Sequence, residues 1–376
     1  MINEVKSHLE NCIIPFWKNL KDSEFGGFYG EMDYELRLNK KADKGGILNS
    51  RILWFFSNCY LTLGDKSCLE YATHAYRFLK LEFIDRYYDD GIYWSTDLAG
   101  SPKDTTKYTY NQAFAVYALA SYYDASGDEN ALALAYDLVR VIEEKCRDDG
   151  GYLEAFDREF NPIENEQLSE NGVIADRTMN TLLHVYEAYS ELFRVDRNPE
   201  IAEKLKWILD VFERKIYNPE KKRLEVFFDL DYTPIIDLCS YGHDIEASWL
   251  IDRGAEILGV PAPEFTEELA AQIHATALDE DGSVFNECEA GNVDRRKVWW
   301  VQAEAVLGFL NAGYNETAEK IWAYIKAHVI DTRQGSEWLN ELNRDNTPIK
   351  EKAIVDLWKC PYHNGRMCLE IIKRGN

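Results

Sequence analysis

A short cassette recurs six times along this chain of 376 residues, and no other feature of the sequence constrains the possible fold as strongly. In most copies a glycine precedes aromatic residues that alternate with polar ones, which predicts a short strand, and a turn follows, often at a proline. Gly27, Gly91 and Gly151 of the first three copies lie 64 and 60 residues apart. A fixed period of this length indicates a repeat architecture. The copies begin EFGGFYGEMD at Glu24, DDGIYWSTD at Asp89, DDGGYLEAFD at Asp148, KKRLEVFFD at Lys221, DEDGSVFNE at Asp279 and RQGSEWLNE at Arg333.

The segments between the cassettes fall into two kinds of predicted helix. The first kind carries a single apolar stripe, typical of a surface helix, as in residues 129–146, 200–216 and 315–330. The second kind is apolar or small nearly all round, which indicates burial on every side. Their alternation predicts an all-α, double-layered α/α barrel of six inner and six outer helices, with short β-hairpins at one end. The second kind covers residues 47–62, 109–123, 172–193, 241–258 and 297–311.

Composition narrows the cellular setting and the classes of partner. The net charge of −24 repels phosphate backbones and anionic lipids, so neither nucleic acid nor a membrane surface is expected as a partner. The N-terminal residues show no apolar signal region, and the eight cysteines form no C-x-x-C pair. We therefore expect reduced thiols and a cytoplasmic protein. No linker interrupts the repeat, so residues 1–376 are expected to form one domain. The protein is expected to be a monomer or a weak homodimer.

The polar residues of the apolar helices are the candidate site. A polar side chain in a buried helix is costly unless it is satisfied, and several of these residues are three or four positions apart, which places each pair on one helix face. If those faces point to the barrel axis, the side chains converge on one cavity. The set comprises Arg51, Asn111, Asn180, His184, His243, Glu246, Glu304, His363 and Arg366. The other histidines, His8, His74, His274 and His328, lie on amphipathic outer segments and receive no function.

Each of these residues also has a plain structural interpretation, since one buried histidine or asparagine is more often a satisfied core group than a catalyst. Their number favours a site. The spacing of His243 and Glu246 occurs in carboxylate–imidazole metal centres, but it has no second copy and there is no H-E-x-x-H motif, so no metal is expected. No nucleotide-binding glycine motif is present either, so no cofactor is expected.

Five tryptophans, at positions 94, 249, 299, 300 and 358, suggest a platform for sugar rings.

The residue types favour proton transfer at carbon over hydrolysis. Glycoside hydrolysis needs two carboxylates across the scissile bond, and Glu246 and Glu304 are the only obvious ones on the inner helices. Histidines outnumber them, and imidazole is suited to moving a proton near neutral pH. Two imidazoles with an arginine at the developing oxyanion would invert a stereocentre beside a carbonyl without a cofactor. A glycoside hydrolase and a non-catalytic sugar-binding module remain alternatives.

Motifs along nearly the whole chain resemble those of the N-acylglucosamine 2-epimerase family. The resemblance implies an (α/α)6 barrel and a reaction that uses neither metal nor cofactor. It also implies a disaccharide substrate of the cellobiose, lactose or mannobiose type, whose reducing-end glucose becomes mannose. Relatives that epimerise N-acylglucosamine or interconvert mannose and fructose are the alternatives within the family. The motifs are GGFYGEMD at 26–33, KADKGGILNSRILWFFS at 41–57, YTYNQAFAVYAL at 108–119, SENGVIADRTMNTLLHVYEAY at 169–189, SYGHDIEASWL at 240–250, RRKVWWVQAEAVLGF at 295–309 and WKCPYHNGRMCLE at 358–370.

The same resemblance implies roles for individual residues. His243 and His363 match the general acid and base, and Arg51 matches the arginine at the enediolate oxygens. His184 matches a third histidine that assists ring opening, with Glu246 as its expected polar partner. Trp299 is not expected to face the cavity together with its neighbour, because adjacent residues of a helix point in different directions. The positions expected around the bound sugar are Tyr110, Asn180, Trp249, Trp300, Glu304 and Trp358.

Overall fold

The computed structural model describes residues 1–88, 90–167 and 172–375. Asp89, where the second cassette begins, and residues 169–171 of one family-like motif lie outside this part of the chain. The helices, in chain order, are α1 (Ile2–His8), α2 (Ile14–Asn19), α3 (Gly46–Leu63), α4 (Lys66–Phe78), α5 (Thr109–Ser126), α6 (Glu129–Lys145), α7 (Met179–Asp196), α8 (Pro199–Val211), α9 (Tyr241–Leu258), α10 (Phe265–Thr276), α11 (Trp299–Asn311), α12 (Asn315–Tyr324) and α13 (His363–Arg374). A π-helical turn at Leu9–Ile13 joins α1 to α2 in one rod, and further π-helical turns extend α4, α8 and α12.

The helices alternate between an inner and an outer layer, as the sequence predicts. The inner helices α3, α5, α7, α9, α11 and α13 are buried along most of their length, whereas outer helices such as α6 bury only one face. Each inner helix contacts the next, and α13 contacts α3, so the inner ring is closed. The predicted (α/α)6 barrel is confirmed. One large hydrophobic cluster includes residues of every inner helix.

The turns from inner to outer helices are short and have specific chemistry. Gly64 and Gly127 end α3 and α5 with φ of +72° and +70°, a conformation that a side chain would disfavour. The next residue begins the outer helix, because Asp65 and Asp128 each accept a hydrogen bond from the backbone N–H two positions on. Each helical hairpin therefore reverses with little connecting chain.

Short strands at the opposite end of the helices connect successive cassettes. The strands are β1 (Lys44–Gly45), β2 (Ser95–Thr96), β3 (Pro102–Asp104), β4 (Lys107–Tyr108), β5 (Ala155–Phe156), β6 (Arg177–Thr178), β7 (Tyr217–Asn218), β8 (Arg223–Leu224), β9 (Phe227–Phe228), β10 (Leu238–Ser240), β11 (Glu287–Glu289), β12 (Asn292–Asp294), β13 (Lys297–Val298) and β14 (Glu341–Leu342). Five inner helices directly follow a strand that pairs antiparallel with the next cassette: β1 with β2, β4 with β5, β6 with β9, β10 with β11, and β13 with β14. The cassettes thus hold neighbouring inner helices together around the ring.

The turns predicted at the cassette prolines are confirmed, whereas the predicted start of one inner helix is not. The turn at the cassette prolines is present, since Pro162 bridges Phe156 and Pro348 bridges Leu342. The start of the buried helix predicted for residues 172–193 is wrong, because α7 begins at Met179. Residues 177 and 178 instead pair with Phe228 and Phe227, and an extended backbone cannot also be helical.

Four ion pairs with a buried cation, which we call the strand locks, recur at equivalent positions of the repeat. In each lock, the cation is the first residue of the strand before an inner helix, and the acid follows the preceding outer helix. The four are Lys44–Asp22 at 2.7 Å, Lys107–Asp85 at 3.3 Å, Arg177–Asp148 at 2.6 Å and Lys297–Asp279 at 2.6 Å. The fourth cassette departs from this pattern, with Asn218 and Cys239 at the corresponding positions.

In the parts of the chain that the structure describes, none of the helices is both long and apolar enough to cross a bilayer.

Candidate active site

A cavity of about 230 Å³ opens among the first turns of the inner helices, at the end where the cassettes lie. A volume of this size restricts the site to a small ligand. Most of the residues singled out from the sequence line it, although they come from separate inner helices and from the segment before α13. These are Arg51, Tyr110, Asn180, His184, His243, Glu246, Trp300, Trp358 and His363. The structure therefore brings together nine of the eleven expected residues.

His363, the first residue of α13, is held by a carboxylate. Its Nδ1 lies 2.7 Å from Oε1 of Glu304 and 3.8 Å from Oε1 of Glu246. Burial, and then the charge of Arg51, hold the pKa of His363 well below its ordinary value. The ring is therefore a neutral imidazole near pH 7, with Nδ1 occupied by its carboxylate partner.

His243, in the first turn of α9, has an uncharged partner. Its Nδ1 lies 2.7 Å from the hydroxyl oxygen of Ser240, the last residue of β10. Burial, with a smaller contribution from His184, lowers the pKa of His243 to about 3. The ring centroid of Trp300 is 4.8 Å from that of His243 and 5.4 Å from that of His363. Both imidazoles therefore contact the same indole and line the same cavity.

His184 does not pair with Glu246, which corrects the expected partnership. Its Nδ1 lies 2.8 Å from Oε2 of Glu187, one turn further along α7. Burial opposes ionisation of Glu187, but Arg366, His184 and the hydroxyl of Tyr362 outweigh it and lower its pKa to about 2. A residue three positions away on the same helix face reaches the imidazole more directly than a residue of the neighbouring helix.

Arg51 supplies a positive charge to the cavity. One Nη2–H donates to the hydroxyl of Tyr110 at 2.8 Å, and the guanidinium carbon lies 4.1 Å from the ring centroid of Phe114. Among the described residues no carboxylate forms an ion pair with Arg51, and its buried Nε has no hydrogen-bond partner. The buried Oδ1 of Asn180 is likewise without a partner. A polar ligand would satisfy both groups, because buried polar atoms are normally hydrogen-bonded.

Arg366 joins the carboxylates behind the cavity into what we call the pocket cluster, made of Arg366, Glu187, Glu246 and Glu304. Its guanidinium lies 2.6 Å from Glu187 and 2.7 Å from Glu304, and it contacts Glu246 closely. Burial and the neighbouring Glu304 raise the pKa of Glu246 to about 7, although Arg366 opposes that rise. One guanidinium therefore serves three carboxylates, and Glu246 can change its protonation near neutral pH.

Trp249 and Glu304 do not line the cavity, contrary to the expectation that they contact the sugar. Trp249 is fully buried, and its Nε1–H donates to Oε2 of Glu304 at 3.0 Å. Glu304 is also fully buried, and its carboxylate hydrogen-bonds to Nδ1 of His363. Trp299 does line the cavity beside Trp300, because both are at the N-terminal end of α11, where two successive side chains can reach the opening.

Other residues of the sequence inventory have structural roles. The side chain of Asn111 donates to the carbonyl oxygen of Tyr93 at 2.8 Å and so attaches α5 to the second cassette. Trp94 is buried against Trp358, with 5.5 Å between ring centroids, and does not line the cavity. His8 lies outside the site, where its Nε2 accepts a hydrogen bond from Trp338 at 2.7 Å.

The donor set was also tested for a metal. Ligand atoms of Glu246, Glu304 and His363 lie within 4.8 Å of one another. Arg366 bonds to both carboxylates, however, and a metal ion would have to displace this buried guanidinium. The residues therefore do not fit a metal ion in this arrangement.

Several site residues were missed from the sequence. Ser240 contacts His243, Glu187 contacts His184, and the hydroxyl of Tyr362 donates to Glu187. The repeat offered a signal for Ser240, because this residue ends the strand before an inner helix. The cassettes also contribute polar residues to the cavity wall. These are Gln167, Asn286, Glu287, Asn340, Glu341, Lys352, Asp356 and Lys359.

The family model described as N-acylglucosamine 2-epimerase matches residues 27–363. A protein of Ruminococcus albus named cellobiose 2-epimerase is 50% identical over 387 residues, covering 100% of this chain and 99% of that protein. The Eubacterium cellulosolvens protein of the same name is 47% identical, with 100% and 99% of the two chains covered. A crystal structure of a sugar epimerase from a ruminal bacterium superposes with a TM-score of 0.98 at 49% identity, covering 100% of this chain and 99% of that one.

More distant structures share only the fold. A D-mannose isomerase has a TM-score of 0.86 at 18% identity, covering 100% of this chain and 98% of that one. An α-mannanase of Bacteroides thetaiotaomicron has a TM-score of 0.62 at 10% identity, covering 100% and 96%. Function cannot be transferred from fold at this distance.

Proposed function

This chain belongs to the N-acylglucosamine 2-epimerase family, and on that premise we propose how its residues perform the reaction of its cellobiose 2-epimerase relatives. The chain is an isomerase, a carbohydrate epimerase. It inverts carbon 2 of the reducing-end glucose of a β-1,4-linked disaccharide such as cellobiose, which leaves mannose at that position. We propose lactose as a second substrate of the same kind.

The observation that carries the residue assignment is that two imidazoles share one indole in one cavity. His243 and His363 both pack on Trp300, with Arg51 on the cavity wall. Both imidazoles have a lowered pKa, so both are neutral and able to accept a proton at pH 7. A planar intermediate in this cavity is within reach of both rings, which is the arrangement that proton removal and return require.

The reaction begins with ring opening, in which His184 takes part while Glu187 orients its imidazole. One of His243 or His363 then removes the proton from carbon 2. The electron pair of that C–H bond forms the C1–C2 double bond, and the carbonyl oxygen takes the negative charge. Arg51 stabilises this enediolate, since a fixed cation is most effective where charge develops in a water-poor site. A proton returns to the opposite face, either from the other histidine after that ring has taken up a proton from solvent water, or from the same histidine after rotation about C2–C3.

The surroundings of the carboxylates disfavour hydrolysis. A glycosidase needs one carboxyl group as acid and another as base or nucleophile, each free to reach the scissile bond. Here Glu304 lies outside the cavity, and both Glu246 and Glu304 bond to Arg366. The alternatives within the family, N-acylglucosamine epimerisation and mannose–fructose isomerisation, are separated by product analysis on cellobiose, N-acetylglucosamine and mannose.

Incubation with cellobiose in heavy water tests the proton-transfer route. We expect glucosyl-mannose that carries deuterium at carbon 2, measured by NMR spectroscopy. A product without deuterium at that carbon would eliminate enediolate formation, and release of monosaccharide would indicate a hydrolase.

The His363→Ala variant tests the role of the imidazole. Turnover should fall by about 10²- to 10⁴-fold, the usual contribution of a general acid or base, while cellobiose still binds. His274→Ala, at a histidine of outer helix α10 that contacts Tyr314, is the matched control and should keep wild-type turnover. A sugar-binding module would lose nothing in either variant.

We also propose that the protein works in the cytoplasm as a monomer or weak homodimer. The eight cysteines are free thiols, which supports a reducing compartment. Light scattering over a range of concentrations, and fractionation of the source cells, test these two points separately.

A further inference from the structure

The two imidazoles of the proposed reaction have partners of different chemical character. Nδ1 of His363 lies 2.7 Å from a carboxylate oxygen of Glu304, whereas Nδ1 of His243 lies 2.7 Å from the hydroxyl oxygen of Ser240. A carboxylate stabilises an imidazolium by charge, and a hydroxyl does so only by its dipole. The contact distances are equal, but the different partners give the two rings different tendencies to hold a proton.

Resting on the proposed function, we propose that Ser240 is a positioning residue that orients the ring of His243 and makes it the readier proton donor of the pair. The sequence fixes the spacing for this role. Ser240 is the last residue of β10, and His243 is the third residue of α9, so one strand-to-helix turn separates them. Ser240 pairs with Glu287 of β11, which holds the strand in place beneath the imidazole.

The proton accounting defines what the hydroxyl does. Nδ1–H of His243 donates to Oγ of Ser240 in both working forms of the ring, so the cavity-facing Nε2 carries the exchangeable proton. When His363 removes the proton from carbon 2, its new positive charge faces Glu304. His243 first takes up a proton on Nε2 from solvent water, and when it gives this proton to carbon 2 of the enediolate, it loses a charge that no bonded carboxylate was holding. His363 then releases the proton it removed to solvent, so both rings return to the neutral form. In the reverse direction the two histidines exchange these steps.

The groups around His243 are consistent with a readily lost proton. His184 on α7 lies near enough to lower the pKa of His243, although burial has the larger effect. Trp300 on α11 contacts the ring at a tilt of 47° and does not titrate. Among the described residues, the cavity that His243 lines is also lined by Arg51 on α3, Glu246 on α9 itself, Glu287 on β11 and His363 on α13. Asp244, the next residue of α9, is turned instead toward the backbone of Leu224 and the thiol of Cys239.

Replacement of the hydroxyl tests the role. In Ser240→Ala we expect kcat to fall by about 10- to 100-fold, the loss found when the partner of a metal-binding histidine is removed, with KM within about twofold of wild type. Without an acceptor for Nδ1–H, the imidazolium of His243 is less stable, so the alkaline limb of the kcat profile should move to lower pH. Ser240→Thr keeps the hydroxyl and should restore most of the turnover.

Two further variants sharpen the result. Ser240→Asp places a carboxylate where Glu304 stands for the other ring, so the alkaline limb should move to higher pH. Ser248→Ala is the matched control, because the Ser248 hydroxyl lies buried on the same helix and donates to the carbonyl of Ile245 at 2.7 Å. It should leave kcat, KM and the pH profile unchanged.

The outcomes separate this inference from the proposed function. If the wild-type protein introduces no deuterium at carbon 2, the proposed function itself fails. If the wild type introduces deuterium and Ser240→Ala keeps its kcat and pH profile, only the role of Ser240 is overturned. A raised KM with unchanged kcat would overturn it as well, since Ser240 would then contact the sugar.

Discussion

The strand locks and the pocket cluster both pair a buried cation with carboxylates, yet the carboxyl groups in them behave differently. Each lock pairs one acid with a strand cation, and the pKa of Asp22, Asp85, Asp148 and Asp279 is lowered in every case, because the cation and other hydrogen bonds outweigh the opposing effect of burial. In the pocket cluster one guanidinium serves three carboxylates. Glu187 stays ionised there, while burial raises the pKa of Glu246 and of Glu304.

The difference shows that buried charge alone does not indicate function. In a lock, the cation favours the ionised carboxylate, and the pair holds its strand against the preceding cassette. A cluster with excess carboxylate can exchange a proton, and it touches His184 and His363, whose rings line the cavity. The unequal ratio of charges, together with the contact to imidazole, distinguishes the site from the framework.

Arg366→Met, in the pocket cluster, should have the largest effect on stability and turnover. It removes the only cation bonded to Glu246 and Glu304 among the described residues, so these buried carboxylates lose their counter-charge. Loss of one partner from a buried network costs about 3–5 kcal/mol of folding free energy. We expect a large fall in the unfolding temperature together with loss of turnover. Retention of both would show that the cluster does not depend on this guanidinium.

Lys44→Met and Lys107→Met test the locks as a matched pair. Among the described residues, Asp22 keeps only backbone N–H donors when Lys44 is removed, whereas Asp85 keeps Arg158, which lies 2.8 Å away. We expect Lys44→Met to cost about 3 kcal/mol of folding free energy and Lys107→Met distinctly less. Denaturant unfolding measures both. Turnover per folded molecule should stay at the wild-type value, and a selective loss of kcat would contradict a purely structural role.

Glu246→Gln and Asp22→Asn should show opposite dependences of stability on pH. The pKa of Glu246 is raised to about 7, so its contribution is complete below about pH 4.5 and is lost as pH rises through 7. Relative to wild type, Glu246→Gln should therefore gain up to about 3 kcal/mol between pH 4.5 and 8.

Asp22 has the opposite sign. Its pKa is lowered, so its contribution is present above pH 3.8 and is lost as pH falls. Asp22→Asn should be destabilised at pH 7, and its difference from wild type should shrink in acid. Unfolding curves at several pH values decide both cases, and parallel profiles for the two variants would refute the distinction between cluster and lock.

Trp249→Phe and Trp300→Ala should give the smallest effects. Trp249 lies behind the cavity, so its replacement removes one hydrogen bond to a buried carboxylate, at about 1–3 kcal/mol of stability, and leaves KM within about twofold. Trp300 lines the cavity, and its loss should raise KM for cellobiose by about tenfold, the upper range of an aromatic contact. Equal KM values for the two variants would remove this distinction.

The sequence predicted the barrel and most of the residues around its cavity. Six cassettes and two kinds of helix indicated the layers, and polar positions such as His243 and Arg51 stood out because an otherwise apolar helix carried them. The strand locks were missed, although Lys44, Lys107, Arg177 and Lys297 occupy the same place in each repeat. Aligning the repeats with one another, rather than following each helix alone, would have revealed them.

What the sequence determined by itself was the periodicity, because helix burial follows from local hydrophobic patterning, which each segment carries in its own residues. Which side chains become partners was decided only by the tertiary structure. Glu304 rather than Glu246 makes the close contact with His363, and Trp249 supports Glu304 instead of contacting the cavity. These choices depend on how helices from distant parts of the chain pack and on which rotamers then fit, and no spacing within one helix encodes that.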